Sequence, residues 1–289
     1  MCDCAPSAPL AVDVTRPNAA RIYDWYLGGG ANYAIDREFG KKVADLWPHV
    51  KGVARQNRGF LRRAVINALD AGVRQFLDLG SGVPTVGNVH AIARHHLPAG
   101  EQVKVVYVDY EHVAAAHAQV LLENEKATDW AGVLQADMRD PGTVLDHDVT
   151  DTLLDRREPI CVLMIAVLPF VGGNDNVPDL LTEYTRRLAP GSWLALTHIA
   201  SDEASAEDQM AVEAFRKAYD NTSNPLWVRD YDEMSGWFRG LHGWSLFDPG
   251  VVHLADWRPE RDSSPEQGSS PEQEQLRPFA WCGAAEKLF

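Results

Sequence analysis

The stretch Phe76-Leu-Asp-Leu-Gly-Ser-Gly-Val-Pro-Thr-Val-Gly87 decides the fold: an apolar run ends in a carboxylate and two closely spaced glycines, and an amphipathic pattern follows. Gly80 and Gly82 let the backbone turn tightly and approach a ligand, and the N-terminus of the following helix can receive negative charge. In a dinucleotide fingerprint a third glycine packs the helix on the strand. Here Pro84 stands two residues after Gly82 and Thr85 takes the place of that third glycine, which weakens a pyrophosphate reading.

Outward from this stretch the chain alternates. Short apolar runs at 75–79, 103–108, 133–136, 160–167 and 192–197 read as strands, separated by segments with helical spacing such as Val113, Ala116, Val120 and Leu121. Strands alternating with helices imply βαβ units, right-handed crossovers and a parallel sheet covered on both faces. After helical patterns at 206–219 and 230–238, the runs at 244–247, 251–255 and 279–284 follow without long helices between them, which predicts antiparallel pairing at one sheet edge. Before the first strand, Asn18–Gly40 reads as a short aromatic helix broken by Gly28–Gly30, and a second helical run, 60–69, stops at Gly72. The expected organisation is a disordered tail over 1–14, an N-terminal helical lid region over 15–72 and a Rossmann-like core over 73–289. Within that core the duplicated Ser-Ser-Pro-Glu-Gln unit marks 262–276 as a disordered loop, because it has too little apolar surface to offset its ordering entropy.

Composition narrows the function classes. With 45% hydrophobic residues there is material for a buried core, and no run is long and apolar enough to suggest a membrane span. The N-terminus lacks a basic region followed by an apolar one, so a soluble, cytoplasmic protein is expected. A net charge of −14 argues against a nucleic-acid substrate, since phosphate contacts need clustered Lys and Arg. Cys2, Cys4, Cys161 and Cys282 follow no metal-ligand or disulfide spacing, no His-Glu-x-x-His occurs, and no metal is expected. Oligomeric state is not legible.

Two further acids sharpen the site. Asp109 ends the second strand, where a carboxylate can accept both hydroxyls of a ribose, and Asp137 ends the third, where a carboxylate can accept from an exocyclic adenine amine and Met138 can cover the ring. Taken singly, each acid is as well explained as a turn or helix-cap residue.

Asp78-Leu-Gly-Ser-Gly, Val108-Asp-Tyr, Ala136-Asp-Met-Arg-Asp-Pro and Leu188-Ala-Pro-Gly-Ser together resemble the motifs of class I S-adenosylmethionine-dependent methyltransferases. Arg21-Ile-Tyr-Asp-Trp-Tyr-Leu-Gly-Gly-Gly and Arg55-Gln-Asn-Arg58 narrow the resemblance to the S-adenosyl methyltransferase family, formerly a domain of unknown function. The resemblance implies a seven-stranded, mostly parallel sheet with an antiparallel edge hairpin, and S-adenosylmethionine as cofactor. It implies that Gly80, Ser81 and Gly82 line the methionine moiety, with Asp78 behind them reaching its amino group. Asp109 is then implied at the ribose, and Asp137 with Met138 at the adenine. Tyr110 either stacks on adenine or packs on a helix. Ala166 follows the fourth strand, where the family has an aromatic residue or His.

Methyl transfer can proceed by positioning alone, so no catalytic side chain is required. His198 is a candidate base, against a structural histidine as the alternative. Tyr26, within the aromatic cluster Tyr23, Trp25, Tyr26 and Tyr33, either forms part of a lid over the cofactor or packs the helix on the sheet. Arg58, with Arg21, pairs either with the cofactor carboxylate or with acids of the protein. The resulting expectation is methyl transfer to a small-molecule acceptor. The alternatives are a non-catalytic S-adenosylmethionine-binding module and a nicotinamide-dependent oxidoreductase.

Overall fold

A computed structural model of the chain describes residues 15–84, 87–259 and 271–289. Three helices come first: α1 (Ala19–Tyr26), α2 (Ala34–Leu46) and α3 (Val50–Asp70). Asn18 starts α1 by accepting the N–H groups of Ala20 and Arg21, and Gly72, at φ +90°, ends α3 where the last-turn carbonyls need a left-handed residue. The core then runs β1 (Gln75–Leu79), α4 (Val89–His96), β2 (Lys104–Asp109), α5 (His112–Asn124), β3 (Ala131–Gln135), α6 (Pro141–Leu145), α7 (Asp148–Leu153), β4 (Ile160–Met164), α8 (Val177–Thr185) and β5 (Trp193–Ile199). It ends with α9 (Ala206–Tyr219), α10 (Tyr231–Gly240), β6 (Trp244–Leu246), β7 (Val252–His253), α11 (Pro271–Leu276) and β8 (Ala280–Lys287).

The sheet has eight strands in the order β3-β2-β1-β4-β5-β8-β6, with the two-residue β7 pairing β8 beside that path. Pairs among β1 to β5 are parallel, and β8 pairs antiparallel with β5, β6 and β7. The mostly parallel sheet with an antiparallel edge is therefore as expected, and its eight strands answer the eight runs read from the sequence, one more than the seven the resemblance implies. Strand order reverses between β1 and β4, which opens a crevice at their carboxyl ends.

Alternate residues of each strand feed the two faces. Leu77, Leu79, Val106 and Val162 pack with residues of α8 and α10 on one side, while Phe76, Val105 and Cys161 pack with α3 and α4 on the other. A third apolar cluster joins Ile22, Tyr26, Val43 and Trp47 of the N-terminal helices to Phe215 and Tyr219 of α9. Cys161 and Cys282 are free, buried thiols, as small core residues should be.

The expected loop over 262–276 needs correction at its end. Residues 271–276 form α11, and Leu276 is buried so close to α3 that a Cβ on Gly52 would come within 2.7 Å of its Cδ1. The remainder of that loop up to 270, and the expected tail over 1–14, lie outside the described residues. Among the described residues no helix is long and apolar enough to cross a membrane.

Candidate active site

The turn after β1 is folded by the next strand. Gly80 and Ser81 both donate to the Val108 carbonyl, at 2.8 and 3.0 Å. Gly80 has φ +67°, and a Cβ there would stand 2.1 Å from Val167 Cγ2, so both backbone shape and space demand glycine. Gly82 also has positive φ, but a side chain on it would meet nothing within 4 Å, because it borders open space.

That space is a cavity of about 370 Å³ over the carboxyl ends of β1, β2 and β4. It falls in the range of roughly 300–1,000 Å³ usual for small-molecule sites. Gly80, Ser81, Gly82, Asp109, Tyr110, Asp137, Met138, Ala166 and Arg58 all line it, so nine of the residues singled out from sequence converge on one wall system. Asn18, Ala19, Ala20 and Tyr23 of the N-terminal region close it from another side.

Asp109 holds the turn and the next helix together. Its Oδ2 accepts Gly82 N–H at 2.8 Å and its Oδ1 accepts Glu111 N–H at 2.9 Å. Glu111 in turn caps α5 by accepting Ala114 N–H. Burial pushes the Asp109 pKa up to about 6, despite these two hydrogen bonds, and Glu111 and Asp137 add repulsion. Asp78 lies behind the glycine turn, as expected, but lines a separate small recess with Tyr107 and His90 rather than the main cavity. Burial raises its pKa to about 7, with nearby Arg58 opposing and Asp109 adding to the rise.

Asp137 is already engaged. Arg139 grips its two oxygens, Nη2 to Oδ2 at 2.6 Å and Nε to Oδ1 at 3.0 Å, and reaches Asp175 with Nη1 at 3.2 Å. Burial pushes the Asp137 carboxyl up, but these hydrogen bonds outweigh it and hold the group below the usual range. Met138 is buried and fixed through its carbonyl, which accepts the Tyr184 hydroxyl at 2.8 Å. Tyr110 is half exposed, and its hydroxyl pairs with the Asn224 amide, while Asn224 Oδ1 accepts Ala19 N–H at the start of α1. Ala166 sits at φ +58°, its N–H donated to Thr197 Oγ1 at 2.8 Å, a strained residue held at the cavity wall. Arg58 reaches the Gly87 carbonyl at 3.0 Å.

For three residues the structure selects between the alternatives the sequence left open. Tyr26 does not border the main cavity: its ring is buried against α9 and its hydroxyl pairs with that of Tyr219 at 3.0 Å. Tyr23, one turn earlier, lines the cavity in its place. Arg21 is also turned away, fully buried between Asp36 (2.8 Å) and Glu111 (3.0 Å), so it serves the protein's own acids. His198 is structural: Nδ1 bonds the Ile199 carbonyl at 2.7 Å and Nε2 meets Arg229 Nη1 at 3.0 Å. Burial above all, with Arg229 adding, pushes its pKa down to about 3, so it is neutral at physiological pH and its Nε2 lone pair faces Arg229.

Sequence reading gave no role to Arg139, to Asn224 or to Asn57, which lines the cavity and donates to the Tyr23 hydroxyl at 2.9 Å. Arg139 had a local signal, since it follows Asp137 by two residues, but Asn224 lies in the irregular segment after α9 and its partners Tyr110 and Ala19 are far away in sequence. Among the described residues no group of His, Cys, Asp and Glu could hold a metal ion.

The model of the S-adenosyl methyltransferase family matches residues 6–287. A protein of Thermobifida fusca YX, assigned as a methyltransferase, is 30% identical and superposes with a TM-score of 0.83, the match covering 99% of this chain and 100% of that one. A DUF574-family protein from Streptomyces avermitilis MA-4680 is 29% identical at a TM-score of 0.82, covering 95% and 99%. The plantazolicin methyltransferase BamL, solved with a triazolic desmethylPZN analog and SAH, shares the fold at a TM-score of 0.53 and 11% identity, covering 93% and 96%. No curated protein matches the chain.

Proposed function

Because this chain belongs to the S-adenosyl methyltransferase family, an S-adenosylmethionine-dependent one, we propose that the cavity beside Gly80–Gly82 holds the cofactor and that the methyl group passes there to a small-molecule acceptor. The observation that carries this reading is the convergence of Gly82, Asp109, Asp137, Met138 and Ala166 on one cavity at the strand-order reversal.

The lining residues suit the cofactor. Gly82 leaves room where a side chain would fill the cradle, and the buried acid Asp109 disfavours a phosphate beside it. Asp109 is placed to accept the ribose hydroxyls with the lone pairs left over from Gly82 and Glu111 N–H. Met138 offers an apolar surface for the adenine. Arg139 must share Asp137 with an adenine amine, or release it. Asp78 acts from behind the turn on the amino group of the methionine moiety, and Arg58 supplies the opposite charge for its carboxylate.

When bound, S-adenosylmethionine supplies a methyl carbon that bonds to the acceptor nucleophile as its bond to sulfur breaks, leaving the electron pair on sulfur as S-adenosylhomocysteine. The chain's own part is to align and desolvate. Asn18, Ala19 and Tyr23 cover the cavity, and His198, neutral and tied to Arg229, is not the group that takes the acceptor proton. Isothermal calorimetry tests the reading: S-adenosylhomocysteine should bind and NAD should not, whereas binding of NAD alone would defeat it.

A further inference from the structure

A second cavity, of about 80 Å³, lies beneath α1, α3 and α9, and Tyr23, Asn57, Ala166 and Phe170 line both it and the main cavity. The two spaces therefore meet at a common wall. Tyr23 is fixed there, its hydroxyl accepting from Asn57 Nδ2 at 2.9 Å and donating to the Ala54 carbonyl at 3.2 Å. Beyond that wall the chemistry changes. The main cavity carries Asp109, Glu111, Asp137, Arg58 and Arg139, whereas no Asp, Glu, Lys or Arg is found among the described residues of the second. Its lining is mostly aliphatic and aromatic, and its polar members Asn57, Thr197 and His198 are already engaged, with the Tyr23 hydroxyl, the Ala166 N–H, and the Ile199 carbonyl and Arg229.

One polar pair in that lining keeps bonding capacity to spare. Tyr26 and Tyr219 both border the second cavity, both are buried, and their hydroxyls face each other at 3.0 Å. In such a pair one hydroxyl donates to the other, so one of the two hydrogens has no acceptor. A buried donor left unmade costs free energy, and a ligand oxygen arriving beside it recovers that cost. An anion would instead lose its hydration with no cation to replace it.

We propose that the second cavity receives one end of the methyl acceptor, and that this end is uncharged, apolar and carries a hydrogen-bond-accepting oxygen, a ketone, ester or ether, set against the Tyr26–Tyr219 hydroxyls. An engineered apolar cavity of roughly 150 Å³ takes up benzene. A space about half that size, open toward the cofactor side, takes a branched alkyl group or the edge of a ring, while the nucleophilic end of the same molecule lies past Tyr23 in the main cavity. The inference rests on the proposed placement of the methyl donor, and adds to it the class of molecule that is methylated.

The test uses the full chain and three probes of similar size, acetophenone, ethylbenzene and benzoate, titrated by NMR with and without S-adenosylhomocysteine. Acetophenone should bind about five- to tenfold more tightly than ethylbenzene, the equivalent of one neutral hydrogen bond, and benzoate should bind least. The double variant Tyr26→Phe/Tyr219→Phe removes both hydroxyls together, an exchange that is nearly neutral for folding. It should erase the preference for acetophenone while leaving ethylbenzene unchanged. Ala54→Leu, which lines only the second cavity, should abolish binding of both neutral probes and leave the affinity for S-adenosylhomocysteine intact. Benzoate binding as tightly as acetophenone, a preference that survives the double Phe variant, or no binding of any probe would each overturn the proposal. Loss of S-adenosylhomocysteine binding in the unaltered chain is a separate outcome and counts against the cofactor site, because the probes are also read without it.

Discussion

Replacing Asp109 by Asn should weaken cofactor binding and, above pH 6, leave the empty protein at least as stable as before. The carboxylate is buried, and its pKa of about 6 lies some two units above the ordinary 3.8. At about 1.4 kcal/mol per unit, keeping it ionised at pH 8 costs the folded state roughly 3 kcal/mol. That figure already includes the hydrogen bonds from Gly82 and Glu111. Asn removes the charge and still offers one oxygen to Glu111 N–H, but its NH2 group opposes Gly82 N–H, a loss of about 1–2 kcal/mol. The balance is a gain of about 1–2 kcal/mol, or a few degrees in melting temperature. The sign follows from linkage: a carboxyl whose folded pKa is raised subtracts stability as pH rises from 3.8 toward 6. The gain should therefore turn into a loss of about 1–2 kcal/mol at pH 4, where the unaltered Asp109 is protonated in the folded state and only the opposed Gly82 N–H remains. For the cofactor the charge is wanted, because a carboxylate accepting ribose hydroxyls makes the stronger hydrogen bonds, and affinity for S-adenosylhomocysteine should fall about ten- to a hundredfold. Differential scanning calorimetry at pH 4 and pH 8 with a ligand titration measures both. A lower melting temperature at pH 8 with unchanged affinity would refute the reasoning and reduce Asp109 to a brace between two turns.

The raised Asp78 pKa of about 7 carries a pH dependence: S-adenosylhomocysteine affinity should fall as pH drops from 8 to 6, because the amino group needs the ionised form. The empty protein should gain stability over that same drop, and parallel trends in the two titrations would contradict the assignment. Arg21→Met leaves Asp36 and Glu111 buried without their cation, and denaturant unfolding should show a loss of about 3–5 kcal/mol. Arg21→Lys should recover only part of it, since one ammonium cannot reproduce the fork. Leu276→Ala, which empties the contact with Gly52 on α3, should cost about 2 kcal/mol or more, and an effect under about 0.5 kcal/mol would mean that α11 is not anchored.

The strands were legible because each is a short apolar run bounded by turn residues; 75–79 has the bounds expected from sequence, since Gly72 and Gly80 bracket it. The short β7 was read longer than it is, because 251–255 has strand character but only two residues reach β8. In the site, the glycine turn and the acids are local signals, readable from spacing. Partners distant in sequence are not. Tyr23 and Tyr26 lie three residues apart on one helix, and what separates a cavity wall from a core residue is Tyr219, 193 residues further on. Likewise the choice between a base and a structural histidine at His198 turns on Arg229, 31 residues further on, which meets its second nitrogen. The repeat before Leu276 masked an anchored turn, because one apolar residue at its end gives no periodicity to read.

A crystal structure of the full chain with S-adenosylhomocysteine tests the central claim most directly. The account predicts ligand density in the cavity beside Gly80–Gly82, with the ribose hydroxyls within hydrogen-bonding distance of Asp109 and the adenine against Met138. Density for the ligand elsewhere, or Asp109 still bonded only to Gly82 and Glu111 with the ribose turned away, would contradict it.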